Sequence, residues 1–152
     1  MEITQSQLDA HWMPFTGNRQ FKKDPRIITE ADGRYYKDAD GRMIFDGLSG
    51  LWTCGLGHNV PKINEAVTTQ LSTLDMSPSF QFGHAKAFHL AERITEFSPD
   101  GLNRVFFTCS GSEAVETALK IARAYWRKMN MPSKSKLIGR VKGYHGVNFG
   151  GI

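Results

Sequence analysis

The chain has 152 residues, of which 40% are hydrophobic and 22% charged, and its formal net charge is +4. This composition and length suit a globular protein with one ordinary core. No apolar run approaches the ~18 residues of a membrane helix, and the scattered basic residues argue against nucleic-acid binding, so we expect neither partner. Residues 1–5 lack a signal-peptide pattern. Cys54 and Cys109 have no metal-ligand spacing, so we expect no metal and a reduced, cytoplasmic protein.

The N-terminal segment, residues 1–25, is predicted to be an arm. A short helix is expected to begin near Ser6, and residues 12–15 read Trp-Met-Pro-Phe. Exposed apolar clusters of this kind commonly dock on another domain or subunit.

Three short β-prone runs follow, separated by two copies of the sequence Ala-Asp-Gly-Arg. Each Asp-Gly pair is a tight-turn signal, so the sequence predicts a meander with strands at residues 27–29, 35–37 and 43–45. Residues 46–59 contain four glycines, which indicates a loop with special backbone angles. On sequence grounds alone, Trp52 in this loop is either a packing residue or a ligand contact.

Two amphipathic helices are predicted next. The first begins at Pro61 with Asn59 as a possible cap, and the second covers residues 86–96. A connection with two aromatic side chains, Phe80 and Phe82, joins them. The apolar residues of both helices recur at three- and four-residue spacing, which is typical of buried faces. They are Ile63, Val67, Leu71 and Leu74 in the first helix and Phe88, Ala91, Ile94 and Phe97 in the second.

A strand, a tight turn and the start of a long helix are predicted around residue 110. Residues 105–107 are the short apolar run of a covered strand, and Ser110 with Glu113 fits a capping box, in which each side chain satisfies a backbone N–H. A helix N-terminus has unpaired N–H groups and a partial positive charge. Ser110, Gly111 and Ser112 therefore indicate a phosphate site, although such a turn is often only a cap.

A second strand is predicted at residues 136–141, after the long helix. The order strand, helix, strand implies a parallel pair, and ligands of such sheets bind beyond the carboxyl ends of the strands. Tyr144 and His145 follow the second strand, so we expect them to face the same crevice as the Ser-Gly-Ser turn. The sequence thus predicts an α/β fold with a ligand site at that edge.

Several segments resemble, in order, the motifs of the class III aminotransferases, which are pyridoxal-phosphate enzymes of fold type I. They are residues 46–52, 55–58, 108–120 and 143–146. The early sequence Trp-Met-Pro-Phe-Thr at residues 12–16 is similar, within that family, to the ω-amino-acid (β-alanine):pyruvate transaminases. The resemblance covers nearly all of the chain. It implies that residues 1–75, which comprise the arm, the meander and a helix, contribute to a small domain. It also implies that residues 76–152 are the first part, truncated here, of a large, cofactor-binding domain with a mixed, mostly parallel sheet.

The resemblance also implies how the cofactor, pyridoxal 5′-phosphate, is bound. Ser110, Gly111 and Ser112 would hold its phosphate, and Tyr144 would stack on its ring. His145 would either join the cofactor site or only support the loop beside it.

The resemblance further implies substrate contacts. Trp52 would line the substrate pocket, while Phe80 and Phe82 would reach the site of a neighbouring subunit in a homodimer or homotetramer. The substrates would be a small-molecule amino donor and a keto acid.

The activity implied by the resemblance is transamination of an ω-amino acid or amine with pyruvate. In the family, the Schiff-base lysine lies downstream of residue 152, and no lysine here matches it, so no residue is assigned a catalytic role. The chain is interpreted as an inactive fragment of a longer enzyme. Two alternatives stay open: another class III transaminase, acting on ornithine, 4-aminobutyrate or a diamine, and a non-catalytic module that binds a phosphate ligand.

Overall fold

The structure is a computed structural model that describes residues 3–151. The first two residues of the predicted arm and the last residue, Ile152, lie outside this range. The chain divides into two units, Met1–Ser77 and Pro78–Ile152. The assignment of these units to the small and large domains of a longer enzyme stays a prediction.

The first unit contains the predicted antiparallel meander. Its strands are β1 (Ile28–Asp32), β2 (Tyr35–Asp38) and β3 (Met43–Phe45), and they pair in the order β1-β2-β3. Gly33 and Gly41 have positive φ angles of 52° and 83°, which glycine adopts without the steric cost of a Cβ atom. The two Asp-Gly signals are therefore confirmed as turns.

The helices of the first unit lie on both sides of the meander in sequence. They are α1 (Gln5–Ala10), α2 (Asn18–Phe21), α3 (Ser49–Trp52) and α4 (Pro61–Thr73).

The predicted cap of α4 is wrong. Val60 is the N-cap residue, because Pro61 occupies the start of the helix. Asn59 has a positive φ of 56°, and its side chain accepts a hydrogen bond from Asn64 Nδ2 at 2.6 Å instead of capping the helix.

The described residues of the second unit form the helices α5 (Ala85–Glu96) and α6 (Gly111–Lys128). The strands predicted at residues 105–107 and 136–141 are not formed, because neither segment pairs with a strand between residues 3 and 151. A strand needs a partner to satisfy its backbone N–H and C=O groups, and these two segments do not satisfy each other. The predicted parallel pair is therefore absent from this part of the chain.

The apolar faces of α4 and α5 are present but not buried. Val67 on α4 is 52% exposed, and Phe88 on α5 is 68% exposed. Across residues 3–151, no hydrophobic side chain is buried. The prediction of buried faces is wrong here, because none of the described helices packs extensively on another element.

Asp38 is the buried carboxylate of the β2–β3 hairpin. It accepts hydrogen bonds from the backbone N–H groups of Asp40 at 3.0 Å and Arg42 at 2.8 Å, and Arg42 Nε donates at 2.7 Å. Burial alone would raise the pKa of Asp38, but the hydrogen bonds and charge of Arg42, with the Asp40 N–H, outweigh it and lower that pKa. The ionised carboxylate therefore stabilises the folded state above its unfolded pKa, and this contribution is lost as pH falls through the lowered, folded value.

We expect Asp38→Ala to destabilise the protein more than Asp40→Ala. Both carboxylates pair with Arg42, but the Asp40 side chain is 74% exposed and that of Asp38 only 5%. An exposed ion pair contributes little, whereas loss of Asp38 removes the buried acceptor of three hydrogen bonds in the hairpin. Thermal unfolding at pH 7 should show a clearly larger fall in Tm for Asp38→Ala, and the difference between the variants should shrink in acid. Equal falls would contradict this account of the hairpin.

Candidate functional site

Only one of the two hydrogen bonds of the predicted capping box is formed at the start of α6. Ser110 is the N-cap residue, and its Oγ accepts a hydrogen bond from the Glu113 N–H at 3.2 Å. The Glu113 carboxylate, however, accepts from the Cys109 N–H at 2.8 Å, one residue earlier than a capping box requires. The extended backbone of Ser110, with φ −152° and ψ 160°, brings the Cys109 N–H within reach. The second half of the predicted capping box is therefore wrong.

The first turn of α6 offers free backbone donors. The N–H groups of Gly111 and Ser112 are too early in the helix for an intrahelical acceptor, and none is found for them elsewhere among residues 3–151. A Cβ atom on Gly111 would meet nothing within 4 Å, so the space beside this turn is open. Such a helix start favours an anion, because free N–H groups and the positive end of the helix dipole coincide there.

A loop from the end of the chain packs on the first turns of α6. The Val147 N–H donates to Ser112 Oγ at 3.1 Å, and the Gly150 N–H donates to Glu116 Oε2 at 3.0 Å. Gly146 has a φ of 110°, and a Cβ atom there would lie 3.0 Å from Ser112 Cα. Ser112 Oγ thus accepts one hydrogen bond from the loop and keeps its own hydrogen to donate.

Tyr144 and His145, which begin this loop, have different surroundings. Tyr144 is 74% exposed. His145 Nε2 is buried and has no hydrogen-bond partner in the described part of the chain. A Cβ atom on Gly143 would lie 2.8 Å from this nitrogen, so the imidazole packs tightly against the backbone. A buried, unpaired nitrogen is unfavourable, so we expect this atom to be able to accept or donate a further hydrogen bond.

The predicted substrate residues are all exposed. Trp52 is 88%, Phe80 86% and Phe82 71% exposed. Trp52 belongs to the first unit, and the two phenylalanines to the second. None of the three makes a ring contact with another described aromatic or cationic side chain. Their substrate roles stay predictions.

The first unit contains a polar cluster that the sequence reasoning missed. The Asp46 Oδ2 and His58 Nε2 atoms lie 2.7 Å apart, and their side chains are 7% and 12% exposed. The Tyr36 and His58 ring centroids are 4.4 Å apart. Burial alone would raise the pKa of Asp46, but hydrogen bonds from His58, Tyr36 and two backbone N–H groups lower it. Burial, and then the hydrogen bond to Asp46, raises the pKa of Tyr36.

Sequence position could have suggested this cluster only in part. Asp46 and His58 stand at opposite ends of the glycine-rich loop. The glycines allow the two ends to approach each other, but the sequence spacing does not determine which side chains meet. Gly146 likewise belongs to the motif at residues 143–146, but that motif does not predict the close approach of Gly146 to Ser112.

Residues 3–151 contain no group of three or more His, Cys, Asp or Glu side chains arranged to hold a metal ion. Within the same range, each helix is too short or too polar to span a membrane.

Comparison with known proteins identifies the family. The family model described as "Aminotransferase class-III" matches residues 16–152, and the chain therefore belongs to the class III aminotransferases. It is 57% identical over 148 residues to the omega-amino acid–pyruvate aminotransferase of Pseudomonas putida, covering 97% of this chain and 33% of that protein. It is 59% identical over 144 residues to the beta-alanine–pyruvate aminotransferase of Pseudomonas aeruginosa, covering 95% and 32%. The chain spans about a third of the length of these curated relatives.

A solved structure confirms the predicted fold class. An amine transaminase from an uncultivated Pseudomonas species, crystallised in its PLP-bound form, superposes with a TM-score of 0.86 at 37% identity. The match covers 93% of this chain and 33% of that one. The chain therefore has the α/β fold of PLP-dependent transaminases, although the strands predicted in its second unit do not pair within residues 3–151.

We expect Gly146→Ala to destabilise the full-length protein more than Gly101→Ala. Both glycines have positive φ angles, 110° and 87°, so both substitutions carry a conformational cost, roughly 1–2 kcal/mol. A Cβ atom on Gly101 would meet nothing within 4 Å, whereas one on Gly146 would crowd Ser112. Thermal unfolding of both variants separates packing from backbone cost. An equal loss of stability in the two variants would contradict close packing of the Gly146 loop on α6.

Proposed function

We propose that the protein containing this chain transfers an amino group from an ω-amino acid or amine to pyruvate, with pyridoxal 5′-phosphate as its cofactor. The observation that carries the proposal is the open anion site at the start of α6, found in a chain of the class III aminotransferase family. The names of the two relatives above support the substrate class, and the PLP-bound form of the solved structure supports the cofactor.

The residues at the start of α6 fit a phosphate group. The backbone N–H groups of Gly111 and Ser112 are free, and the Ser112 hydroxyl retains a hydrogen to donate. Hydrogen bonds to a charged group contribute about 1.5–3 kcal/mol each. The open space beside Gly111 is where a side chain would exclude the ligand. Ser110 contributes mainly as the cap that fixes the direction of the helix.

When bound, the cofactor supplies an electron-withdrawing ring that allows an amino group to leave one carbon skeleton and enter another. This chain binds and orients that ring. The exposed Tyr144 ring is available for offset stacking, which contributes about 0.5–1.5 kcal/mol. His145, packed against Gly143, stiffens the loop that carries Tyr144. Neither Lys120, within α6, nor Lys142, before the loop, is proposed as the lysine that bonds to the cofactor.

The remaining sequence predictions belong to the same proposal. Trp52 lines the substrate pocket, and Phe80 and Phe82 extend to the site of a second subunit in a homodimer or homotetramer. The exposure of all three rings, at least 71% in each case, is what a role in such shared surfaces requires. The mass of the full-length holoenzyme in light scattering decides between these assemblies and a monomer. A cytoplasmic location is part of this proposal.

The two alternatives differ in support. Membership of an aminotransferase family argues against a non-catalytic phosphate-binding module. Another class III transaminase, specific for ornithine, 4-aminobutyrate or a diamine, shares the same phosphate site, so only the choice of amino donor distinguishes it from the proposed enzyme.

We expect the full-length holoenzyme to form alanine from pyruvate with β-alanine as donor, at a kcat/KM at least about tenfold above those for ornithine, 4-aminobutyrate and putrescine. Alanine formation measured with each donor in turn tests this. Preference for one of the other three donors would contradict the proposed substrate class. A protein that retains cofactor but forms no alanine with any donor would favour the binding module.

A further inference from the structure

The short helix α3 is a left-handed turn. Its four residues Ser49, Gly50, Leu51 and Trp52 have φ angles of 50°, 58°, 60° and 70°. Three of the four carry a Cβ atom, which collides with the following carbonyl oxygen in this conformation. Consecutive non-glycine residues adopt it only where the surrounding structure holds them there, and such strained segments concentrate at functional sites.

Asp46 is the side chain that holds this turn. Its Oδ1 accepts from the Leu48 N–H at 3.2 Å, and its Oδ2 accepts from the Gly50 N–H at 3.0 Å. The carboxylate is almost fully buried and also contacts His58 Nε2 at 2.7 Å. Its two oxygens thus fix two backbone donors at the entry of the turn, one of them within the left-handed segment.

His58 ties Asp46 to the meander. The backbone of His58 exchanges two hydrogen bonds with Gly33, at 2.7 and 3.2 Å, and its ring packs on Tyr36 of β2. A continuous series of contacts therefore connects the sheet to His58, His58 to Asp46, and Asp46 to the turn.

The turn ends at Trp52, whose side chain is 88% exposed. The position of this exposed indole depends on the backbone angles of the turn, because no described aromatic or cationic side chain contacts the ring. Release of the Asp46 hydrogen bonds would let Leu51 and Trp52 relax towards ordinary backbone angles and move the indole.

We propose that Asp46 is a positioning residue that sets the preference among amino donors by fixing Trp52. The inference rests on the proposed function, in which Trp52 lines the substrate pocket. In this proposal a buried carboxylate, which acts through the backbone of the turn, controls which donor the pocket accepts and has no role in cofactor binding.

The test is a double-mutant cycle in the full-length holoenzyme. The quantity measured is the ratio of kcat/KM for a bulky aryl-alkyl amine to that for β-alanine. Asp46→Asn, which is nearly isosteric but uncharged, should raise this ratio about five- to tenfold, because a mobile indole no longer bounds the pocket. In the Trp52→Ala background the same substitution should change the ratio less than about twofold, because residues that act through one another are not additive.

Two variants control the experiment. Asp32→Asn removes an exposed aspartate of β1 in the same unit and should leave the ratio unchanged. Tyr36→Phe removes a hydroxyl that helps to lower the pKa of Asp46 and leaves its ring packing on His58 possible. It should shift the ratio in the same direction by a smaller factor, which keeps the test decisive if Asp46→Asn does not fold. Cofactor retention, followed by absorbance after dialysis, should be unchanged in Asp46→Asn and Tyr36→Phe.

The outcomes separate the inference from the function on which it rests. A ratio that Trp52→Ala leaves unchanged refutes the placement of Trp52 in the pocket. The kcat/KM ratio could instead change in Trp52→Ala but in neither Asp46→Asn nor Tyr36→Phe. That result would overturn the role of Asp46 and leave Trp52 in the pocket. An equal shift on Asp46→Asn in both backgrounds also overturns it, because Asp46 would then act independently of Trp52.

Discussion

The hydrogen bond from the Val147 N–H to Ser112 Oγ, 3.1 Å long, is the contact on which the candidate site depends. It joins two segments that are 35 residues apart, one carrying the free N–H groups of the helix start and the other carrying Tyr144. Gly146 permits the contact, because a Cβ atom there would crowd Ser112. Together with the hydrogen bond from the Gly150 N–H to Glu116 Oε2, this contact connects the start of α6 to the loop that carries Tyr144.

The candidate site is formed by a few hydrogen bonds, whereas a hydrophobic core requires packing between several elements. The α6 cap, the loop on its first turns and the Asp46 cluster rely on hydrogen bonds within short stretches or between loop and helix. Burial of apolar faces requires further elements, and none of the described side chains of this type is buried. A chain spanning about a third of its relatives can thus present the geometry of a site before it presents the packing that stabilises it.

Sequence reasoning succeeded where structure is determined by neighbours in the chain. The Asp-Gly turns, α5 and the start of α6 follow from local signals, and so does Ser110 as the cap. It failed where the outcome depends on distant partners: the segments at 105–107 and 136–141 have the composition of strands but no strand to pair with. The Asp46–His58 contact was also missed, because spacing does not specify which residues of a glycine-rich loop meet.

The central claim, that a phosphate binds at the start of α6, is tested most directly by Gly111→Val, with Gly17→Val as control. A Cβ atom on either glycine would meet nothing within 4 Å, and neither has a positive φ, so neither backbone position opposes a Cβ atom in the absence of ligand. The affinity of the full-length protein for pyridoxal 5′-phosphate should fall more than about tenfold in Gly111→Val and stay unchanged in Gly17→Val. An unchanged affinity in Gly111→Val would contradict the account.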